Sequence, residues 1–243
     1  MSSPSATRGA SVSSPSRRRS RSARAPRSRH DTAKSVVQWP VRVVAVVLAA
    51  GAGRRIGGPK ALLPIGETTF LAHVARGLER PGVAAVVAVI GHGARRVEAE
   101  AGVPPGVALV VNPRPDDGML GSVILGLEAA EARGAEAVLL HPVDHPFVSP
   151  AATDLVLAAL AAGARIAVPS YGGRRGHPGG FARATWAALR EAPPRLGVRA
   201  VLTRHPDWVV HLPADEGCLS GIDTREDYER RLGLLGKSWR GAR

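Results

Sequence analysis

Residues 43–50, Val-Val-Ala-Val-Val-Leu-Ala-Ala, run directly into a loop of glycines and fixed positive charge, Gly51-Ala-Gly-Arg-Arg-Ile-Gly-Gly-Pro-Lys60. An unbroken apolar run of this length, closed by glycine, reads as a strand buried on both faces. Such strands belong to parallel sheets covered by helices on either side, so this one feature directs the chain toward an α/β fold. The loop after it joins bare backbone amides to Arg55 and Lys60, which is the chemistry needed to hold a polyphosphate.

The loop departs from two familiar phosphate sites. Gly53 and Gly58 have the separation of a Walker loop, but Pro59 intervenes before Lys60, and Ala61 follows where a magnesium-binding hydroxyl would stand. Gly51, Gly53 and Gly57 put one residue too many in the second gap of a dinucleotide fingerprint. Both sites also need a helix to start in the loop. Pro59 and Pro64 bracket the next residues, so the stretch 62–66 reads as extended and a helix starts only near Thr69. Anion binding therefore falls to the loop amides, Arg55 and Lys60.

Strand and helix patterns alternate through the rest of the chain. Further strands are expected at 83–90, 107–111, 137–140, 165–168 and 208–212, with helices at 70–78, 95–101, 121–132, 153–162 and 225–235. The pattern implies a three-layer, doubly wound, mostly parallel sheet of Rossmann-like kind, in a single domain over 41–243. In such sheets ligands sit at the carboxyl ends of the strands.

Residues 1–40 read differently. They hold eleven serines and a net charge of +8 out of +13 for the whole chain, with too few apolar residues to form a core. A disordered tail is expected. It could be idle, an overlong start, a targeting segment or an arm binding nucleic acid through phosphates. One cysteine, Cys218, excludes an intramolecular disulfide and suits a reducing, cytoplasmic setting. No apolar run of about 18 residues suggests a membrane span.

The loops after the strands carry the right residue types. His141-Pro-Val-Asp144-His-Pro146 puts a carboxylate just past a strand, suited to a hard cation such as magnesium (Mg2+) or to a turn or helix cap; His145 shapes the site or contacts substrate. Asn112-Pro-Arg-Pro-Asp-Asp-Gly118-Met-Leu-Gly-Ser122 is a stiff loop with Ser122 at an expected helix start, where its hydroxyl would cap. Gly173-Arg-Arg175-Gly-His177-Pro178 again combines glycine with positive charge. Ser220-Gly-Ile-Asp223-Thr-Arg-Glu-Asp227 offers a second carboxylate, with Thr224 capping the last helix and Asp227 at its third position.

The pattern Leu48-Ala49-Ala50-Gly51, Arg55, Gly57, Pro59-Lys60 resembles the signature of nucleotidyltransferases that make sugar nucleotides and molybdopterin dinucleotides, the MobA-like NTP transferases. The resemblance covers essentially residues 42–235. It implies that Leu48, Ala49, Ala50, Gly51, Gly53, Arg55 and Lys60 bind the nucleotide, with Asn112, Gly118 and Ser122 around the base. It implies Arg55, Lys60 and Asp144 in catalysis, and Asp144 with Asp223 as ligands of Mg2+. Gly173-Arg-Arg-Gly-His-Pro178 is close to the stretch that faces the pterin in molybdenum cofactor cytidylyltransferases, which implies Arg175 and His177 in substrate binding. The Ala-Ala-Gly form resembles the cytidylyl branch. The expected activity is transfer of CMP from CTP to the molybdenum-molybdopterin cofactor, with handover to molybdoenzymes or their chaperones. GTP as donor, or a sugar or alcohol phosphate as acceptor, is the nearest alternative. A pyridine-nucleotide oxidoreductase is a further one, although Ile90-Gly-His-Gly93 lacks the acidic residue that would hold a ribose. The chain departs from the terminal motif Asp-Ile-Asp-Thr-Pro: Gly221 replaces the first aspartate and Arg225 the proline.

Overall fold

The structure, a computed structural model, describes residues 40–233. The basic tail and the end of the last expected helix lie outside the described residues. In chain order the elements are β1 (Val43–Ala49), β2 (Pro64–Ile65), β3 (Thr68–Thr69), α1 (Phe70–Leu78), β4 (Val83–Ile90), α2 (Ala94–Glu100) and β5 (Ala108–Val111). Then come α3 (Met119–Glu131), β6 (Ala137–Pro142), α4 (Pro150–Ala161), β7 (Ile166–Tyr171), β8 (Arg174–Arg175) and β9 (Gly179–Ala182). Last are α5 (Trp186–Arg190), α6 (Val198–Arg204), β10 (Val209–Pro213) and α7 (Arg225–Gly233).

The main sheet runs β10-β7-β9-β6-β1-β4-β5, with β8 on the edge of β7. β1 lies at its centre, parallel to both β4 and β6. This explains its unbroken apolar run, because alternate side chains enter two different cores. Val43, Ala45 and Val47 face Phe70, Leu71 and Val74 of α1, Leu157 of α4 and Tyr228 of α7. Val44, Val46 and Leu48 face Val123 and Leu127 of α3, Trp186 of α5 and Val201 of α6. The result is the expected three-layer α/β arrangement.

Local chemistry sets the helix ends. Thr69 caps α1 by accepting from Ala72 N at 3.2 Å. Ser149 caps α4 in the same way, with Pro150 at the first helical position, where its missing N–H costs nothing. Tyr228 of α7 donates its hydroxyl to Pro64 O at 2.6 Å, fixing the closing helix over the β2–β3 hairpin.

Three features differ from the sequence expectations. β9 is antiparallel to both β6 and β7 and is the one strand of the sheet's interior with no apolar run. A Cβ on Gly180 would lie 2.5 Å from Val156 Cγ1, so α4 packs on bare backbone there. Glycine weakens the strand signal for the same reason that it permits the contact. α5 and α6 are too short for a periodic pattern to show. α3 begins at Met119, so Ser122 lies inside its first turn instead of capping it. Among the described residues no helix is long and apolar enough to cross a membrane.

Candidate functional site

The loops leaving the carboxyl ends of β1 and β6 converge with the segment before α7. The β1 loop is drawn tight by Gly53, whose carbonyl accepts from Ile56 N and Gly58 N at 3.0 and 3.2 Å. Gly53 has φ 59°, and a Cβ there would sit 1.8 Å from Gly58 O, so no other residue fits. Closing this loop delivers Arg55 and Lys60 to one side. Lys60 Nζ donates to Asp144 Oδ2 and to Asp223 Oδ1, each at 2.7 Å. The Arg55 guanidinium lies 3.5 Å from Asp223 Oδ1. Groups separated by 84 and 163 positions in the chain are thus joined on one ammonium.

Each carboxylate is held from behind. Asp144 O accepts from Ile222 N at 2.8 Å, which ties the β6 loop to the segment carrying Asp223. Asp223 is fixed by the turn that caps α7: Asp227 N donates to Thr224 Oγ1, and Thr224 N donates to Asp227 Oδ2, both at 3.1 Å. Burial works to raise the Asp144 pKa, but the His145 hydrogen bond and the Lys60 ammonium outweigh it and hold the carboxyl well below the usual range. Asp144 is therefore an acceptor only.

Three histidines line the back of Asp144. His145 Nδ1 lies 3.0 Å from Asp144 Oδ1, and its ring meets the edge of His177 at a centroid distance of 4.4 Å. His141 Nε2 is 3.0 Å from His145 O, so it donates, and Nδ1 is left buried with no hydrogen-bond partner among the described residues. Burial pushes His141 down to about 4. Burial, then the neighbouring His145 and His141, push His177 down to about 3. Both are neutral near pH 7.

Beside this cluster, at the ends of β1, β6 and β7, opens a cleft of about 410 Å³. Leu48, Leu140, Val168 and Phe181 form its floor, and Arg175, His177, Arg199 and Thr203 bring polarity to it. Arg175 stands exposed on β8. Gly176 lets this segment approach: its N donates to Pro169 O at 2.7 Å, and a Cβ there would be 2.5 Å from Cys218 Sγ. Cys218 is thus a buried packing residue. Arg199, Thr203 and Met119, which also line the cleft, were not singled out in the sequence. Arg199 and Thr203 sit on α6, which gave no pattern, whereas Met119 stood visibly next to Gly118.

The remaining expected residues divide. Leu48 lines the cleft, Ala49 and Ala50 are buried, and Gly51 is exposed with open space around it. Asn112 and Ser122 are buried against each other, Asn112 Nδ2 donating to Ser122 Oγ at 3.0 Å while Asn112 Oδ1 accepts from Arg114 N at 2.9 Å. This pairing replaces the expected helix cap of Ser122. Gly118 turns the chain into α3 at φ 102° and borders a second cleft of about 460 Å³ with Leu120, Pro194 and Leu196.

Asp144 and Asp223 are the two carboxylates of the cluster. Two carboxylates already converge on one cation, the Lys60 ammonium. Among the described residues no group of three or more His, Cys, Asp and Glu side chains could hold a metal ion. Asp144 and Asp223 could hold a hard divalent ion only with phosphate or water completing its coordination.

Residues 45–221 match the family model of the MobA-like NTP transferase domain. The chain is 35% identical over 205 residues to nicotine blue oxidoreductase of Paenarthrobacter nicotinovorans, covering 78% of this chain and 96% of that protein. It is 31% identical over 206 residues to molybdenum cofactor guanylyltransferase of Cereibacter sphaeroides, covering 81% and 99%. The fold is similar to that of Rv0371c from Mycobacterium tuberculosis H37Rv, with a TM-score of 0.69, 31% identity and coverage of 80% and 99%. That protein has also been crystallised with manganese, and the likeness there has a TM-score of 0.63 at 31% identity, covering 79% and 98%. The chain belongs to the MobA-like NTP transferase family of nucleotidyltransferases.

Proposed function

We propose that the chain transfers CMP from CTP to a phosphate of the molybdenum-molybdopterin cofactor and releases pyrophosphate, with Mg2+ as its metal. The observation that carries the reading is the meeting of Lys60, Asp144 and Asp223 at the mouth of a glycine-rich loop. Arg55, Lys60 and the amides of the β1 loop bind the triphosphate. Asp144 and Asp223 hold the metal, which when bound neutralises charge on both reacting phosphates. Arg175 and His177 orient the acceptor at the apolar cleft, whose floor suits a flat ring better than a polyol. Gly118, with Asn112 and Ser122 beneath it, borders the base. The acceptor phosphate is already a nucleophile, so positioning and electrostatics supply the rate and no general base is needed. The Ala49-Ala50-Gly51 form of the loop favours CTP over GTP. Residues 41–243 form the catalytic unit, which works in the cytoplasm, and the tail is dispensable to it. Pyrophosphate release with the molybdenum cofactor as acceptor tests the reading. CTP should exceed GTP; release with neither nucleotide would remove it.

A second reading has one observation in its favour, the near full-length similarity to nicotine blue oxidoreductase. The same cleft would then hold a flat dye-like ring for hydride transfer. Oxidation of a reduced nicotinamide cofactor by a quinone-like dye, with no pyrophosphate release from any nucleotide, would favour it.

A further inference from the structure

We infer that His145 is the positioning residue of the metal site, its Nδ1–H fixing Asp144 so that Oδ2 is presented to the cation, and that the bare backbone at Gly221 leaves room for the His145 ring in that position. The inference rests on the reading of Asp144 as a metal ligand.

The geometry supplies each part. Asp144 uses its two oxygens differently: Oδ1 faces His145 Nδ1 at 3.0 Å, and Oδ2 faces the Lys60 ammonium at 2.7 Å. An ionised carboxylate can only accept, so His145 Nδ1 must carry the proton. The ring cannot swing away freely. His177 packs against it edge-on at 4.4 Å, and its own carbonyl is held by His141 Nε2 at 3.0 Å. On the remaining side a Cβ at Gly221 would lie 3.1 Å from both His145 Cε1 and Nε2, tighter than ordinary packing allows. Gly221 is not at positive φ, so backbone strain plays no part there; a Cβ would instead oblige the imidazole to give by a few tenths of an ångström. The bare backbone at Gly221 and the His145 ring therefore belong to one packing arrangement behind Asp144. Groups that orient a metal ligand commonly change affinity 10- to 100-fold when removed.

The test is Mn2+ binding by calorimetry or electron paramagnetic resonance on the full chain, with activity read separately. His145→Leu removes the donor; His145→Asn keeps an N–H near the Nδ1 position. Mn2+ affinity should fall at least 10-fold in His145→Leu and recover most of that loss in His145→Asn. Gly221→Ala should weaken Mn2+ binding in the native chain and have no further effect in His145→Leu. Equal Mn2+ affinity in native, Leu and Asn chains overturns the inference while leaving the metal site standing. Equal loss in Leu and Asn also overturns it, since shape and not the hydrogen bond would then be at work. If the native chain binds no Mn2+, the metal reading itself fails and takes the positioning role with it.

Discussion

Two regions of the molecule meet at the His145–His177 pair and are built on different terms. On one side Lys60, Asp144 and Asp223 stand at fixed distances of 2.7 Å, each carried by its own short loop at a strand or helix end. On the other, the cleft is assembled from single side chains of many segments, among them Leu48 of β1, Phe181 of β9 and Arg199 of α6. Each position in the charged cluster answers to a charge partner. The cleft sets shape and polarity through side chains that are not paired with one another by charge. The first region is thus defined by charge pairing between three loops, and the second by shape and polarity gathered from several elements.

The comparison breaks most visibly at Asp144. Asp144→Asn removes the carboxylate proposed to hold the metal and leaves Lys60 without one of its two carboxylates, so kcat for pyrophosphate release should fall roughly 10³-fold. Steady-state assay at saturating metal is the measurement; a fall of less than about 10-fold would dissolve the charged cluster as the reactive centre. Arg175→Gln acts on the other side. It should raise KM for the acceptor about 10-fold and leave KM for the nucleotide unchanged. The reverse pattern would transfer Arg175 from the cleft to the phosphate site.

The difference between the regions also explains what the sequence revealed. The β1 strand and its loop were legible because burial on both faces and a tight glycine turn each leave a local pattern. Asp144 and Asp223 were legible for a related reason: each closes a short motif at an element end. Their meeting on Lys60 was not, because it depends on tertiary closure across 84 and 163 positions. β9 was hidden by Gly179 and Gly180, which serve packing against α4 and carry no strand propensity. α6 spans only seven residues, so the cleft wall it supplies had no periodic signal. Ser122 looked like a cap because the start of α3 was placed two residues late.

Smaller effects sharpen the boundary between the regions. Gly176→Ala forces a Cβ against Cys218 Sγ and its carbonyl, within 2.6 Å. It should destabilise the chain by about 2 kcal/mol in urea denaturation. Because Gly176 lines the cleft, acceptor KM should rise while nucleotide binding persists. Unchanged stability would mean that the segment is free to shift.

Acid should weaken the boundary itself. His141 is held at about 4 by burial, and His177 at about 3 by burial and its histidine neighbours, against about 6.5 for a free imidazole. The unfolded chain therefore takes up protons at these sites before the folded chain does. Their stabilising contribution is complete above about pH 6.5 and declines as pH falls from there toward 4, by at most about 1.4 kcal/mol per unit for each histidine. Urea midpoints at pH 7 and pH 5 should show the drop, with a shallower slope in His177→Phe. A flat profile would mean that these rings are solvated.

The most direct measurement of the central claim is the thermal shift produced by CTP with and without Mg2+ in the native chain, Lys60→Ala and Asp144→Ala. A nucleotidyl-transfer site built on Lys60, Asp144 and Asp223 predicts a metal-dependent shift in the native chain and none in either variant. An undiminished shift with CTP in both variants would contradict it.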